Sequence, residues 1–108
     1  MKKLDIEYTY YLSSIILDFI SKNQINNIDF ISSHGHTILH QPNKKITYQI
    51  GNRIELNKST NIAVVCDFRV QDVRLGGQGA PLVPVGDLLL FKDFSHCLNL
   101  GGFSNISI

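Results

Sequence analysis

The sequence lacks a charge of one sign, a long apolar run and any paired-cysteine motif, and each absence closes off a class of protein. Ten Lys and Arg stand against nine Asp and Glu, a formal net charge of +1, so there is none of the basic field that nucleic acid or an anionic membrane surface attracts. The chain is not split into charged halves either. Up to Lys58 it carries seven basic and five acidic residues, and after it three and four. No apolar run approaches the roughly 20 residues of a membrane helix; the longest, Val85 to Phe91, is broken by Gly86 and Asp87. Lys2 and Lys3 are followed at once by Asp5 and Glu7, which is wrong for a secretory leader, so the chain reads as cytoplasmic. Cys66 and Cys97 form no CxxC, lie in apolar strand-like settings and read as buried reduced thiols. What is present, 44% hydrophobic and 18% charged residues in 108, describes one soluble globular domain or a piece of one.

Apolar residues recur at steps of three and four from Leu4 through Tyr8, Tyr11, Leu12, Ile15, Ile16, Phe19 and Ile20, predicting an amphipathic helix with that stripe as its buried face. Ile28 to Ser33 reads as a short buried strand. His36, Ile38 and His40 alternate on one side of Gln41-Pro42-Asn43-Lys44-Lys45, and Ile46, Tyr48 and Ile50 on the other, predicting a β-hairpin. Asn52 is a candidate cap for a short helix over Arg53 to Lys58, and Ile62 to Cys66 reads as a further buried strand. Pro81 and Pro84 can open a helix reaching Leu90, and Gly101-Gly102 turns between two strand-like segments, Ser95 to Leu100 and Phe103 to Ile108. Helix, strand, hairpin, helix, strand is an α/β order.

Asp72, between a strand and the glycine-rich Gly76-Gly77-Gln78-Gly79, is a candidate general base, because α/β proteins bind ligands at the carboxyl ends of strands. The alternative is a turn-stabilising Asp paired with Arg69 or Arg74, and Asp67 faces the same choice with a stronger lean to structure. The glycine loop has neither the Lys-Ser/Thr of a P-loop nor a dinucleotide fingerprint. Gly101-Gly102 is the better phosphate candidate, since successive N–H groups in a tight turn face an anion. His34, His36 and His40 share parity and would line one face of a continuous strand as a metal site. With no carboxylate or Cys close by as a fourth ligand, no metal is assigned. No GxSxG supports a serine hydrolase, and His96 and Cys97, as neighbours in a strand, face opposite ways.

Ser33-His34-Gly35-His36-Thr37 with His40-Gln41-Pro42, then Gln49-Ile50-Gly51, Asp67-Phe68-Arg69-Val70-Gln71-Asp72, Gly76-Gly77-Gln78-Gly79-Ala80-Pro81-Leu82-Val83-Pro84 and Asn99-Leu100-Gly101-Gly102-Phe103-Ser104-Asn105-Ile106 together resemble the anhydro-N-acetylmuramic acid kinases. The stretch from Asp67 to Pro84 carries most of the specificity. The resemblance implies an α/β fold, part of an actin-like, ribonuclease H-like ATPase with a mixed sheet and flanking helices. It also implies an activity in cell-wall recycling: ATP, with Mg2+, and water open the ring of 1,6-anhydro-N-acetylmuramic acid and phosphorylate O6. By resemblance Asp72 activates the water. His34, Gly35, His36, Thr37, Gly76, Gly77 and Gln78 wall the sugar, and Gly101, Gly102 and Asn105 belong to a phosphate-binding hairpin. Residues 1–95 correspond to the later part of the first domain and 96–108 to the first strands of the second.

The family's opening Gly-Thr-Ser-x-Asp-Gly hairpin has no counterpart before Leu4, and His36 stands where many members carry Gln. The expected partners are therefore the amino sugar and ATP, in a segment that turns nothing over alone and whose uncovered apolar face favours a homodimer or other self-association. The competing reading is a non-catalytic carbohydrate-binding module or an inactive remnant of such a kinase.

Overall fold

The computed structural model describes residues 1–100 and 104–108, and over them the chain is mixed α/β. In order it runs α1 (Lys2–Lys22), β1 (Ile31–Ser32), β2 (His36–Gln41), a 3-10 turn (Pro42–Lys44), β3 (Ile46–Ile50), α2 (Ile54–Thr60), β4 (Val64–Val65), α3 (Val70–Arg74), α4 (Leu82–Leu90), β5 (Cys97–Leu100) and β6 (Ser104–Ser107). The expected single mixed sheet is instead three two-stranded ladders: β1 with β4 in parallel, and β2 with β3 and β5 with β6 antiparallel. β1 and β4 are two residues each, far shorter than the runs Ile28–Ser33 and Ile62–Cys66 predict. Ladders that short offer little length for a further strand to join.

The β2–β3 hairpin forms where alternation predicts it, closed by Pro42 at the start of the 3-10 turn and by Lys45 at φ 58°. Its register carries one irregularity. Thr37 pairs with Gln49 but Leu39 pairs with Tyr48, so Ile38 is an extra residue, and such a bulge moves every later side chain to the other face. His36 and His40 therefore share parity in sequence but not a face.

The helix α1 corrects the sequence reading in a second way. Its buried residues are Asp5, Thr9 and Ser13, one step of four apart, whereas Leu4, Tyr11, Ile15 and Phe19 of the apolar stripe are exposed. Small side chains permit close approach: Thr9 Oγ1 donates to the Asp5 carbonyl at 2.7 Å and Ser13 Oγ to the Thr9 carbonyl at 2.8 Å. The buried hydroxyls are thus satisfied within the helix, and that face packs on α2 and β3. Half-buried Tyr8 and Leu12 flank it, with the Tyr8 ring directly over Gly51.

Among the described residues the buried large apolar side chains are Ile50 on β3, Leu56 on α2 and Val73 on α3; α1 packs on both α2 and β3, and α3 packs on β3. Asn52 caps nothing; Arg53 holds the N-cap position of α2 without a side-chain bond, and Asn61 ends the helix at φ 56°. None of the residues of α4 is buried.

Candidate active site

Asp67 adopts φ 62°, a left-handed conformation that Asp tolerates better than most residues, and its carbonyl accepts the Val70 amide at 3.2 Å. This turn launches α3, a helix not foreseen from the sequence, and Asp72 lies inside it rather than in a loop after a strand. The glycine loop then folds back over Asp72. Gly77 N–H donates to the Asp72 carbonyl at 2.8 Å, and a Cβ at Gly77 would collide with the carboxylate itself. Gly79 N–H donates to Asp72 Oδ2 at 2.6 Å. Gly79 has φ +75°, and a Cβ there would lie 2.7 Å from Val73 Cγ2 and 2.8 Å from His40 Cε1. Two glycines are therefore required for contact, one over the carboxylate and one wedged between Val73 and His40.

The arginine expected to pair with Asp67 or Asp72 goes elsewhere. Arg69 Nε donates to His34 Nε2 at 2.8 Å and Arg69 Nη1 to the Gly79 carbonyl at 2.9 Å. The residues before β2 are held from the other side by Asn52, whose Nδ2 donates to the His34 carbonyl at 3.1 Å while its Oδ1 accepts Ser33 Oγ at 3.0 Å. Gly35, at φ +66°, passes too close to the Ile50 carbonyl for any side chain. Beside this junction His34, Phe68, Arg69, Gly79, Pro81 and Leu82 line a cavity of about 130 Å3. A wider, mostly apolar cavity of about 610 Å3 lies between α4 and β5, and Asp72 does not line it.

Of the sequence-derived site residues, the structure joins His34, Gly35, Gly77 and Asp72 through these bonds and contacts. Gly76, at φ +96°, has open space around it, and Gln78 is exposed. Thr37 Oγ1 accepts Gln49 Nε2 at 3.2 Å. His36 is exposed with its ring 6.2 Å from that of Tyr8, and His40 Nδ1 bonds Thr47 Oγ1 at 3.1 Å, so the three histidines take different neighbours. Asn105 is exposed on β6 opposite Asn99, while Gly101 and Gly102 lie outside the described residues. Among the described residues no group of three or more His, Cys, Asp or Glu is placed to hold a metal, and no helix is long and apolar enough to cross a membrane.

Asp67 faces a separate polar cavity of about 280 Å3 shared with Arg53, Arg74 and the polar cluster under α1. There the buried Asp5 carboxylate accepts Tyr48 Oη at 2.7 Å and the Gly51 amide at 2.9 Å, with Arg53 Nη1 at 3.6 Å. The bond to Asp5, then burial, hold the Tyr48 phenol above its ordinary pKa. Glu55 sits below the usual carboxylate range because its own backbone N–H and then Arg53 bind the charged form. Burial, helped by Asp67, pushes the free Cys66 thiol up. The sequence reading gave Arg69 to a carboxylate and Asn52 to a helix cap, where the structure sets both against the His34 segment, and it missed Asp5.

Fold and site together define an α/β protein whose glycine loop is folded onto a single carboxylate. A family model described as anhydro-N-acetylmuramic acid kinase matches residues 1–108, and the chain belongs to that family. It is 46% identical over 97 residues to the anhydro-N-acetylmuramic acid kinase of Zymomonas mobilis, covering 85% of this chain and 27% of the relative. It is 43% identical over 96 residues to that of Rhodopseudomonas palustris, covering 82% and 26%. With that of Pseudomonas syringae pv. syringae it shares 52% identity over 81 residues, 72% and 22% of the two chains. The chain thus spans about a quarter of the length of these relatives.

Proposed function

We propose that the chain supplies the sugar-side wall and the general base of a cytoplasmic kinase that acts on 1,6-anhydro-N-acetylmuramic acid with ATP and water. Asp72 takes a proton from the water as it attacks the anomeric carbon; the bond from that carbon to O6 breaks, and O6 accepts the γ-phosphoryl group, giving N-acetylmuramic acid 6-phosphate. One observation carries the reading: Asp72 Oδ2 is fixed by the Gly79 amide while Oδ1 has no hydrogen-bond partner among the described residues. A half-buried carboxylate held in one orientation by a backbone amide is suited to act as a general base. His34 and Gly35 with the loop from Gly76 to Gln78 form the sugar wall, joined by Thr37 and His36 at the start of β2.

The reading extends to an actin-like, ribonuclease H-like architecture, with residues 1–95 in a first domain and 96–108 opening a second. There Gly101, Gly102 and Asn105 take a phosphate of ATP. Phosphoryl transfer needs the nucleotide clamped from both sides of a cleft, so the rest of the enzyme must come from chain that this segment does not contain. Mg2+ would neutralise phosphate charge when bound. The described residues offer no carboxylate set for it, so none of the steps given to this chain's residues runs through the ion. The exposed apolar residues of α1 and α4 support burial against further chain or self-association, including a homodimer.

A chimera tests this. The chain replaces its matching segment in the Zymomonas mobilis kinase, and ATP-dependent formation of N-acetylmuramic acid 6-phosphate from the anhydro sugar is the expected result. A chimera that folds, binds the sugar and forms no product would instead favour a non-catalytic carbohydrate-binding module or an inactive remnant.

A further inference from the structure

We propose that Arg69 is a positioning residue that holds Asp72 in place through Gly79 and couples it to the His34 segment. The inference rests on Asp72 being the base. Gly79 is gripped through both of its flanking peptide groups: its N–H lies on Asp72 Oδ2 at 2.6 Å, and its carbonyl accepts Arg69 Nη1 at 2.9 Å. Because Gly79 is buried, at φ +75° and wedged against Val73 and His40, it is poorly able to shift without losing one bond or the other. The second arm of the same guanidinium reaches His34 Nε2, 35 residues away in sequence, at 2.8 Å. A guanidinium presents its donors in one rigid plane, so moving either end moves the other. A sugar resting on the His34 segment would thereby be registered against the carboxylate that activates its water.

The geometry also fixes the state of His34. Arginine has donors and no acceptor, so Nε2 must carry the lone pair and Nδ1 the proton, and Nδ1 does lie 3.0 Å from the Gly35 carbonyl, which accepts it. The less common Nδ1–H tautomer is therefore held between Arg69 and Gly35. A purely structural arginine, bonded only to backbone, would leave the imidazole tautomer untouched.

The test has two readouts. In the 15N-histidine-labelled chimera, with the His34 signals assigned by their loss in His34→Gln, nitrogen NMR at mildly alkaline pH should show the Nδ1–H tautomer, and Arg69→Gln should return His34 to the ordinary Nε2–H form. In the chimera, Arg69→Gln should lower kcat by about 100-fold, the scale of a misplaced reacting group, with little change in KM. Arg69→Lys, with a single point donor, should recover only part of that loss. An Nε2–H tautomer in the otherwise unsubstituted chimera would overturn the proposal without reference to any variant. A raised KM at unchanged kcat would overturn it too, because Arg69 would then be a ligand contact. Normal turnover in Asp72→Asn would overturn the underlying reading of the base, whereas normal turnover in Arg69→Gln beside an impaired Asp72→Asn would overturn the positioning role alone.

Discussion

Tyr48 donates its hydroxyl to the buried carboxylate of Asp5 at 2.7 Å, across 43 residues of sequence, and so fastens the first helix to the strand that leads into Gly51 and Asn52. Asp5 is 3% exposed, and its removal leaves both the Tyr48 hydroxyl and the Gly51 amide without their acceptor. Asp5→Ala is expected to cost about 3 kcal/mol, and Tyr48→Phe about 1.5 kcal/mol because the carboxylate keeps its other partners. Urea unfolding of each variant checks the order. Equal losses would mean that the Gly51 bond contributes nothing.

The same pair sets an alkaline limit. Asp5 and burial raise the phenol's pKa in the folded chain, so the folded state favours protonated Tyr48. Its contribution is complete below the unfolded value of about 10 and is lost as pH rises through the higher folded value. Thermal melting should fall above about pH 10 in the unsubstituted chain. The Tyr48→Phe variant should lose that component of the fall.

Glycines divide by what a side chain would meet. Gly79→Ala must combine a left-handed backbone with collisions against Val73 and His40 and is expected to destabilise by more than about 2 kcal/mol. Gly86, inside α4 with open space around it, has neither problem. Gly86→Ala should stabilise by up to about 1 kcal/mol, the helix-propensity difference. Melting temperatures moving in opposite directions for the two variants are the expected outcome.

Local periodicity made part of this fold legible in the sequence. The hairpin from His36 to Ile50 and the helix from Leu82 to Leu90 form where alternation and the prolines place them, because hydrogen bonds between near neighbours decide both. The buried face of α1 was not legible: an apolar stripe ordinarily faces a core, yet here Asp5, Thr9 and Ser13 do, and the partners of Asp5, Tyr48 and Gly51, lie more than 40 residues away. The shared face of the three histidines fails because a bulge at Ile38 has no compositional mark. At the candidate site, Asp72 and the glycine loop were legible as a motif. That Gly79 rather than an arginine would hold the carboxylate depends on a turn at Asp67 and a helix of only five residues, too short to show a period. Arg69 reaches His34 only once β1 pairs with β4, a parallel contact that no local pattern announces.

Turnover of Asp72→Asn in the chimera, measured beside Asp67→Asn and with melting curves for both, tests the central claim most directly. Asparagine keeps the shape of the side chain and can still accept the Gly79 amide, but it cannot take a proton from water, a contribution worth about 10² to 10⁴ in rate. The expected result is a fall in kcat of that size for Asp72→Asn, with sugar and ATP affinity retained and melting unchanged. Asp67→Asn, at a left-handed position that asparagine accepts and on the polar cavity it shares with Arg53 and Arg74, should keep its turnover. Near-normal turnover in Asp72→Asn, or a loss that tracks early melting, would contradict the assignment and pass the role of base to Asp67.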